Sequence, residues 1–153
     1  MRTVRFEPLT EPRIPAILVI EKTSQSAPWS EQSFKNELGN RHSIFSVLIV
    51  DGEVAGYGGI WVVIDEAHIT NIAVRDELRG QGLGRRLLDQ LMTQAVERGA
   101  TSATLEVRAS NLPAISLYEK AGFKTCARRK GYYPDNREDA LVMWLYDLSP
   151  WQK

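Results

Sequence analysis

Cysteine is almost absent from this sequence, because Cys126 is the only one among 153 residues. An internal disulfide is therefore excluded, which is typical of a reducing compartment, and we expect a cytoplasmic protein. The two histidines, His42 and His68, are isolated and far apart in sequence, so we expect no metal site. We expect Cys126 to be a buried, unreactive thiol, since neither a helix N-terminus nor a histidine motif adjoins it.

Long apolar runs and an excess of charge of one sign are also missing. The longest early apolar run, residues 14–20, is too short to cross a bilayer and follows Glu7 and Glu11, so we expect no secretory signal and no membrane partner. Lys plus Arg and Asp plus Glu number 19 each, so the composition gives no general attraction to nucleic acid. Without repeats or linkers, the chain is expected to form one domain over residues 1–153.

The most informative stretch runs from Val74 to Gly84, where glycines alternate at positions 80, 82 and 84. A strand-like run, residues 67–74, leads into it. Apolar residues at helical spacing follow over 83–96, with Gly99 as a stop signal. A glycine loop at a helix start exposes backbone N–H groups, and the helix dipole adds positive character. This arrangement favours a bound phosphate or pyrophosphate.

The spacing within this loop separates the possible phosphate ligands. A dinucleotide fingerprint requires glycine where Arg85 stands, and the Gly-Lys-Ser/Thr of a P-loop is absent. The observed Arg79-x-x-Gly82-x-Gly84 resembles the Gln/Arg-x-x-Gly-x-Gly/Ala signature of the GCN5-related N-acetyltransferases (GNAT), in which the loop holds the pyrophosphate of acetyl-coenzyme A (acetyl-CoA). Taken alone, the loop could also be a surface turn rich in Gly and Arg.

The rest of the pattern predicts an α/β fold with a mixed, mostly antiparallel sheet of about seven strands and about four helices. Since a helix separates strands 67–74 and 102–108, these two strands should run parallel. Asp51-Gly52 predicts a hairpin, and the glycines at 56, 58 and 59 predict a bulge or a close backbone approach. The predicted helices cover residues 11–23, 30–38, 83–98 and 111–121. The predicted strands cover residues 3–9, 44–50, 54–64, 67–74, 102–108, 123–129 and 139–147.

Two further motifs widen the resemblance to the acetyltransferases. Leu105-Glu106-Val107-Arg108-Ala109-Ser110-Asn111, followed by Ser116-Leu117-Tyr118-Glu119-Lys120-Ala121-Gly122-Phe123, resembles the second signature of the family. Pro28-Trp29-Ser30 upstream, and Arg129-x-x-Tyr132-Tyr133-Pro134 with Glu138-Asp139-Ala140 downstream, resemble the RimI-type branch of ribosomal-protein N-terminal alanine acetyltransferases. The resemblance covers residues 28–145 and implies the GNAT fold.

The resemblance also implies a role for each matching residue. Glu106 is implied as the general base and Tyr118 as the general acid. Trp29, Tyr132, Tyr133 and either Glu138 or Asp139 are candidates to hold an acceptor peptide. The implied acetyl-CoA site comprises Ile72, Ala73, Val74, Arg79, Gly80, Gln81, Gly82, Leu83, Gly84 and Asn111.

Each of these residues also has a structural interpretation. Glu106 could be a strand glutamate facing solvent, and Tyr118 could be a core tyrosine. Asn111 could merely cap a helix, and Trp29 could close the core. The Tyr-Tyr pair could belong to an exposed turn whose rings fold onto the core.

The chemistry of the acceptor favours an N-terminal amine. An α-amino group has a pKa of about 7.7–8.0 and needs little help to become neutral, whereas a lysine side chain, at about 10.4, needs far more. With acetyl-CoA as co-substrate, the resemblance therefore implies direct transfer to a protein N-terminus, an alanine of a small-subunit ribosomal protein. We expect a monomer without metal. A relaxed N-terminal or lysine acetyltransferase is one alternative. A non-catalytic acetyl-CoA sensor is another, although a sensor would need neither Glu106 nor Tyr118.

Overall fold

The fold is described by a computed structural model that covers residues 2–25 and 27–152. In these ranges seven strands form one sheet flanked by four α-helices, which confirms the predicted mixed α/β architecture. The strands are β1 Val4–Pro8, β2 Ser43–Val50, β3 Glu53–Val63, β4 Glu66–Val74, β5 Ser102–Arg108, β6 Lys124–Arg129 and β7 Ala140–Leu145. The helices are α1 Ile14–Ser24, α2 Glu31–Leu38, α3 Leu83–Glu97 and α4 Leu112–Lys120.

The sheet has the strand order β1-β2-β3-β4-β5-β7-β6. Neighbouring strands are antiparallel except for β4 and β5, which are parallel and joined through α3, as predicted. The β2–β3 hairpin turns at Asp51-Gly52, where both residues have positive φ. This conformation suits a tight hairpin between twisted strands.

Helices cover both faces of the sheet. On one face, α1 and α2 bury an apolar cluster that includes Ile17, Phe34 and Tyr57. On the other, α3 and α4 pack against a second cluster. The helical periodicity of α3 accounts for its contact face, because its buried residues recur on one side. These residues are Leu83, Leu87, Leu88, Leu91, Met92 and Ala95.

The first helix differs in detail from the prediction. It begins with a short 3₁₀ turn, Glu11–Arg13, and becomes α-helical only at Ile14. Pro12 and Pro15 lack a backbone N–H and are tolerated only near a helix start, which explains this split. No helix of the described ranges is long and apolar enough to span a bilayer.

The prediction of a buried Cys126 was wrong. Cys126 lies on β6, an edge strand on which all six residues are exposed. An edge strand has a neighbour on one side only, and β6 has only β7 beside it. The apolar setting that the prediction assumed is therefore missing.

Candidate active site

The site lies where β4 and β5 diverge. The two strands pair over only three residue pairs, ending at His68 opposite Thr104, although β4 continues to Val74 and β5 to Arg108. A cavity of about 230 Å³, here called the inner cavity, lies between the separated strands. A larger cleft of about 710 Å³, the outer cleft, extends over the end of β4 to the glycine loop. Asn111 is among the residues that line both, so the two spaces adjoin.

The outer cleft ends at the glycine loop. Gly80 and Gly82 have φ values of +77° and +78°, a left-handed conformation that L side chains rarely adopt. Gly82 precedes α3 without providing a side-chain cap, so the first N–H groups of α3 face the cleft without a capping partner. Arg79 and Arg85 add positive charge to the same lining. The loop therefore has the donors and the charge to hold a pyrophosphate.

Nine of the ten predicted coenzyme residues line the outer cleft, and Gln81 is the exception. The Gln81 amide oxygen instead accepts a hydrogen bond from Arg2. The side chain of Leu83 is buried in the core, so this residue presents its main chain. Asn111 caps α4, because its side chain accepts a hydrogen bond from the Ala114 N–H at 3.3 Å, and it also lines the cleft, so its role in coenzyme binding stays a prediction. The nine are Ile72, Ala73, Val74, Arg79, Gly80, Gly82, Leu83, Gly84 and Asn111.

Glu106 projects from β5 into the inner cavity, with its side chain only 19% exposed. Its Oε2 lies 3.0 Å from His68 Nε2, and the Tyr132 hydroxyl donates a hydrogen bond to its Oε1 at 3.4 Å. The hydrogen bond from His68 lowers the pKa of the Glu106 carboxyl below its usual range, although burial opposes this effect. Glu106 is therefore ionised at neutral pH and able to accept a proton.

Tyr118 lines the inner cavity from α4 and is buried. Its ring packs edge-on against Phe123, with the ring centroids 5.8 Å apart. Burial raises the pKa of the Tyr118 hydroxyl, and the nearby Tyr133 acts in the same direction. The hydroxyl therefore remains protonated throughout the neutral range and is available as a donor.

The segment between β6 and β7, residues 130–139, is called the acceptor loop. Tyr133 of this loop lines the inner cavity, and the Arg108 guanidinium lies 3.9 Å from its ring centroid. Tyr132 is 42% exposed, and its ring packs edge-on against Tyr133 with centroids 5.1 Å apart. Burial raises the pKa of Tyr133 to about 12. The predicted tyrosine pair therefore stands beside Glu106.

Glu138 holds the acceptor loop and is not among the residues that line the inner cavity. Its Oε2 accepts a hydrogen bond from the Ser110 N–H at 2.7 Å, and its Oε1 lies 3.4 Å from Arg108 Nη1. Hydrogen bonding from Ser110, joined by Arg108, lowers the pKa of the Glu138 carboxyl. Asp139, the other candidate, accepts hydrogen bonds from Arg128 at 2.7 Å and from the Gly131 N–H at 3.0 Å.

Trp29 lines the inner cavity and also packs on the core, so its structural interpretation is confirmed, while its role in holding an acceptor peptide stays a prediction. Its ring lies 5.2 Å from Phe34 and 5.9 Å from Phe45. The Trp29 N–H donates to the fully buried Glu21 at 2.8 Å, and the Tyr57 hydroxyl donates to the other carboxylate oxygen. Glu21 thereby fixes the connection between α1 and α2 against the cavity.

Sequence reasoning missed three residues of the site: His68, Glu21 and Arg108. Each is a polar or charged residue with an apolar residue beside it in the chain, and this is the only signal that the sequence offered. The contact between His68 and Glu106 depends on the parallel register of β4 and β5, which no local pattern encodes. In the described part of the chain, no group of three or more His, Cys, Asp or Glu side chains is placed to hold a metal ion.

The divergent strands, the glycine loop and the partly buried Glu106 carboxylate define an acetyltransferase. The chain belongs to the acetyltransferase (GNAT) family, whose model matches residues 14–123. Its co-substrate is acetyl-CoA.

Comparison with individual proteins shows which acetyltransferases this chain resembles. The chain is 44% identical over 134 residues to the ribosomal protein bS18-alanine N-acetyltransferase of Escherichia coli (strain K12), covering 86% of this chain and 90% of that protein. It is 40% identical over 147 residues to the protein of the same name from Salmonella typhimurium, covering 95% and 97%. The crystal structure of the ribosomal-protein-S18-alanine N-acetyltransferase from E. coli matches with a TM-score of 0.85 and 39% identity, covering 96% of this chain and 95% of that one.

The glycine loop can be tested with two matched alanine variants. Gly82 and Gly99 flank α3, both have positive φ, and neither would meet an atom within 4 Å if a Cβ were added. We expect Gly82→Ala and Gly99→Ala each to lower the free energy of unfolding by about 1–2 kcal/mol. Only Gly82→Ala should also raise the Kd for acetyl-CoA, by roughly tenfold. Calorimetry and thermal unfolding measure both effects, and equal Kd changes would contradict a phosphate site at the loop.

Proposed function

We propose that this protein transfers the acetyl group of acetyl-CoA to the α-amino group of a protein N-terminus, the alanine of ribosomal protein bS18 in particular. The observation that carries the proposal is the Glu106 carboxylate, which lies in the inner cavity at the end of the cleft. The names of the E. coli and Salmonella relatives support alanine of bS18 as the acceptor. We further propose that the enzyme acts as a monomer, since one chain supplies Glu106, Tyr118 and the glycine loop.

In the proposed reaction, Glu106 is the general base and Tyr118 the general acid. The neutral amine attacks the thioester carbonyl carbon, a C–N bond forms, and the amine proton passes to Glu106. The C–S bond then breaks, and Tyr118 donates a hydrogen bond and a proton to the departing sulfur. The backbone N–H groups of Ile72 to Val74 would polarise the carbonyl oxygen. Cys126 lies on β6, outside the residues that line either cavity, which supports direct transfer.

The walls of the inner cavity would select the acceptor. Trp29 and Tyr133 line it, and Tyr132 reaches Glu106 from the acceptor loop. Glu138 acts through this loop, which it ties to Ser110 and Arg108. The ionised Glu106 gives its side of the cavity a negative charge, which attracts an N-terminal ammonium group.

The pH dependence should follow the acceptor and not Glu106. Because His68 lowers the pKa of Glu106, this carboxylate is already ionised above the ordinary glutamate pKa of about 4.3 and gives no titration near neutrality. We expect kcat/KM to rise with pH around a midpoint of about 7.7–8.0, the pKa of the peptide α-amine. The midpoint should move when a peptide with a different amine pKa is used. A midpoint that stays fixed when the pKa of the peptide amine changes would contradict this assignment.

The proposed function is tested by intact-mass spectrometry of short peptides incubated with the protein and acetyl-CoA. One peptide begins with a free alanine, as in an N-terminal acceptor. Its twin has a blocked N-terminus and an internal lysine. We expect one acetyl group on the alanine peptide and none on the twin. Acetylation of both would indicate relaxed specificity, and coenzyme binding without any product would indicate a sensor.

A further inference from the structure

A β-bulge in β4 determines which face of the sheet the side chains after it point to. Opposite β3, Gly59 pairs with Asn71 and Ile60 pairs with Ile69, so Thr70 is an extra residue on β4. Side chains alternate along a strand, and an inserted residue reverses this alternation beyond the insertion. Odd-numbered side chains before Thr70 and odd-numbered side chains after it therefore point to opposite faces of the sheet.

The packing of β4 confirms this reversal. Before the bulge, Ile69 packs into the cluster under α3, while His68 faces Glu106 on the opposite side. Beyond the bulge, Ala73 packs into the cluster under α1 and α2. Asn71 alternates with Ala73 and lines the inner cavity, as Glu106 does. Without Thr70 as an inserted residue, Asn71 would point away from this cavity.

The Asn71 side chain is buried but incompletely bonded. The residue is only 6% exposed, and its Oδ1 has no hydrogen-bond partner in the structure. Thr70 Oγ1 is in the same situation and also lines the inner cavity. Buried polar atoms of folded proteins are nearly always hydrogen-bonded, so an unpaired one facing a cavity is available to a ligand that enters the cavity. A carbonyl oxygen requires an N–H or O–H donor from that ligand.

The chemistry of the two substrates identifies the donor. The acetyl thioester carries no N–H group. The remainder of the coenzyme is assigned to the outer cleft, and Asn71 is not among the residues that line that cleft. The acceptor amine does enter the inner cavity in the proposed reaction, and a neutral primary amine has two N–H bonds. One of these would donate to Glu106, which leaves the other for a second acceptor atom.

We propose that Asn71 is a further acceptor-binding residue, whose Oδ1 accepts a hydrogen bond from the α-amino group of the substrate. This inference rests on the proposed function. With one N–H directed at Asn71 and one at Glu106, the nitrogen lone pair is oriented towards the thioester carbon. Asn71 thus distinguishes a primary amine from a secondary one.

The first test is Asn71→Leu, which keeps the branching at Cγ and removes the oxygen. We expect kcat/KM for the alanine peptide to fall roughly 10- to 100-fold, while the Kd for acetyl-CoA stays unchanged. Thermal stability should stay equal or rise, because the variant removes an unpaired buried polar atom. Asn36→Leu, at an exposed position on α2, is the control and should leave kcat/KM unchanged. Unchanged kcat/KM in Asn71→Leu overturns the inference.

Combining the Asn71→Leu variant with an altered substrate separates the loss of the hydrogen bond from an effect of disrupted packing. N-methylation of the peptide's alanine removes one N–H, so it should lower kcat/KM of the native enzyme at least about tenfold more than that of Asn71→Leu. If the leucine variant unfolds, Asn71→Ala serves in the same experiment. Equal effects of N-methylation on both enzymes overturn the inference. If the native enzyme acetylates no α-amine peptide, the proposed function itself fails, which is a distinct result.

Discussion

Glu106→Gln is expected to lower kcat by roughly 10²- to 10⁴-fold, the usual contribution of a general base. The substitution keeps the size of the side chain and its place beside His68 and Tyr132 but removes the ability to accept a proton. In the proposed reaction, the amine must lose a proton as the C–N bond forms, and the ionised Glu106 is the group positioned to take it. Steady-state kinetics with the alanine peptide at pH 8 provide the measurement.

The control for this variant is the binding of the co-substrate. Glu106 lines the inner cavity and is not among the residues of the outer cleft, so the Kd for acetyl-CoA should stay within about twofold of the native value. Glu119→Gln, at an exposed position on α4, removes the same charge and should leave kcat unchanged. An equal loss of kcat and of coenzyme affinity in Glu106→Gln would indicate a structural role for the carboxylate.

Gly56→Ala is expected to produce the largest loss of stability. A Cβ at this position of β3 would lie 2.5 Å from the Ala73 carbonyl oxygen and 3.2 Å from Val74 Cα. Both atoms belong to the main chain of β4, so no side-chain rotation can relieve the contact, and the strands must separate. We expect the free energy of unfolding to fall by roughly 2–3 kcal/mol. The melting temperature should fall by about 5–10 °C, measured by thermal unfolding.

The matched control for the glycine in β3 is Gly39→Ala. Gly39 has an ordinary φ of −93°, and its added Cβ would meet only the Asn36 carbonyl oxygen, at 3.8 Å. This variant should change the free energy of unfolding by no more than about 0.5 kcal/mol. Because Ala73 and Val74 also line the outer cleft, Gly56→Ala should weaken acetyl-CoA binding as well. Unchanged stability in Gly56→Ala would contradict the close approach of β3 and β4.

The glycine loop, the helices and the seven strands could be predicted from the sequence because local patterns specify them. The loop depends on glycines at positive φ next to a helix start, and residues 80–84 contain both features. The parallel arrangement of β4 and β5 follows from the helix between them. The glycines of β3 predicted a close backbone approach, but they did not predict which strand would lie against them. Cys126 was misjudged, since burial depends on which strand ends the sheet.

Sequence by itself therefore determined the class of fold, the glycine loop before α3, and the presence of Glu106 and Tyr118 on a strand and a helix that follow each other. The tertiary structure alone decided that His68 meets Glu106, that Glu138 is engaged by Ser110, and that a bulge turns Asn71 into the inner cavity. The physical reason is the distance along the chain between the residues that interact. Helical and strand periodicities are set by neighbouring residues, whereas register, bulges and edge positions are set by strands that are distant in the chain.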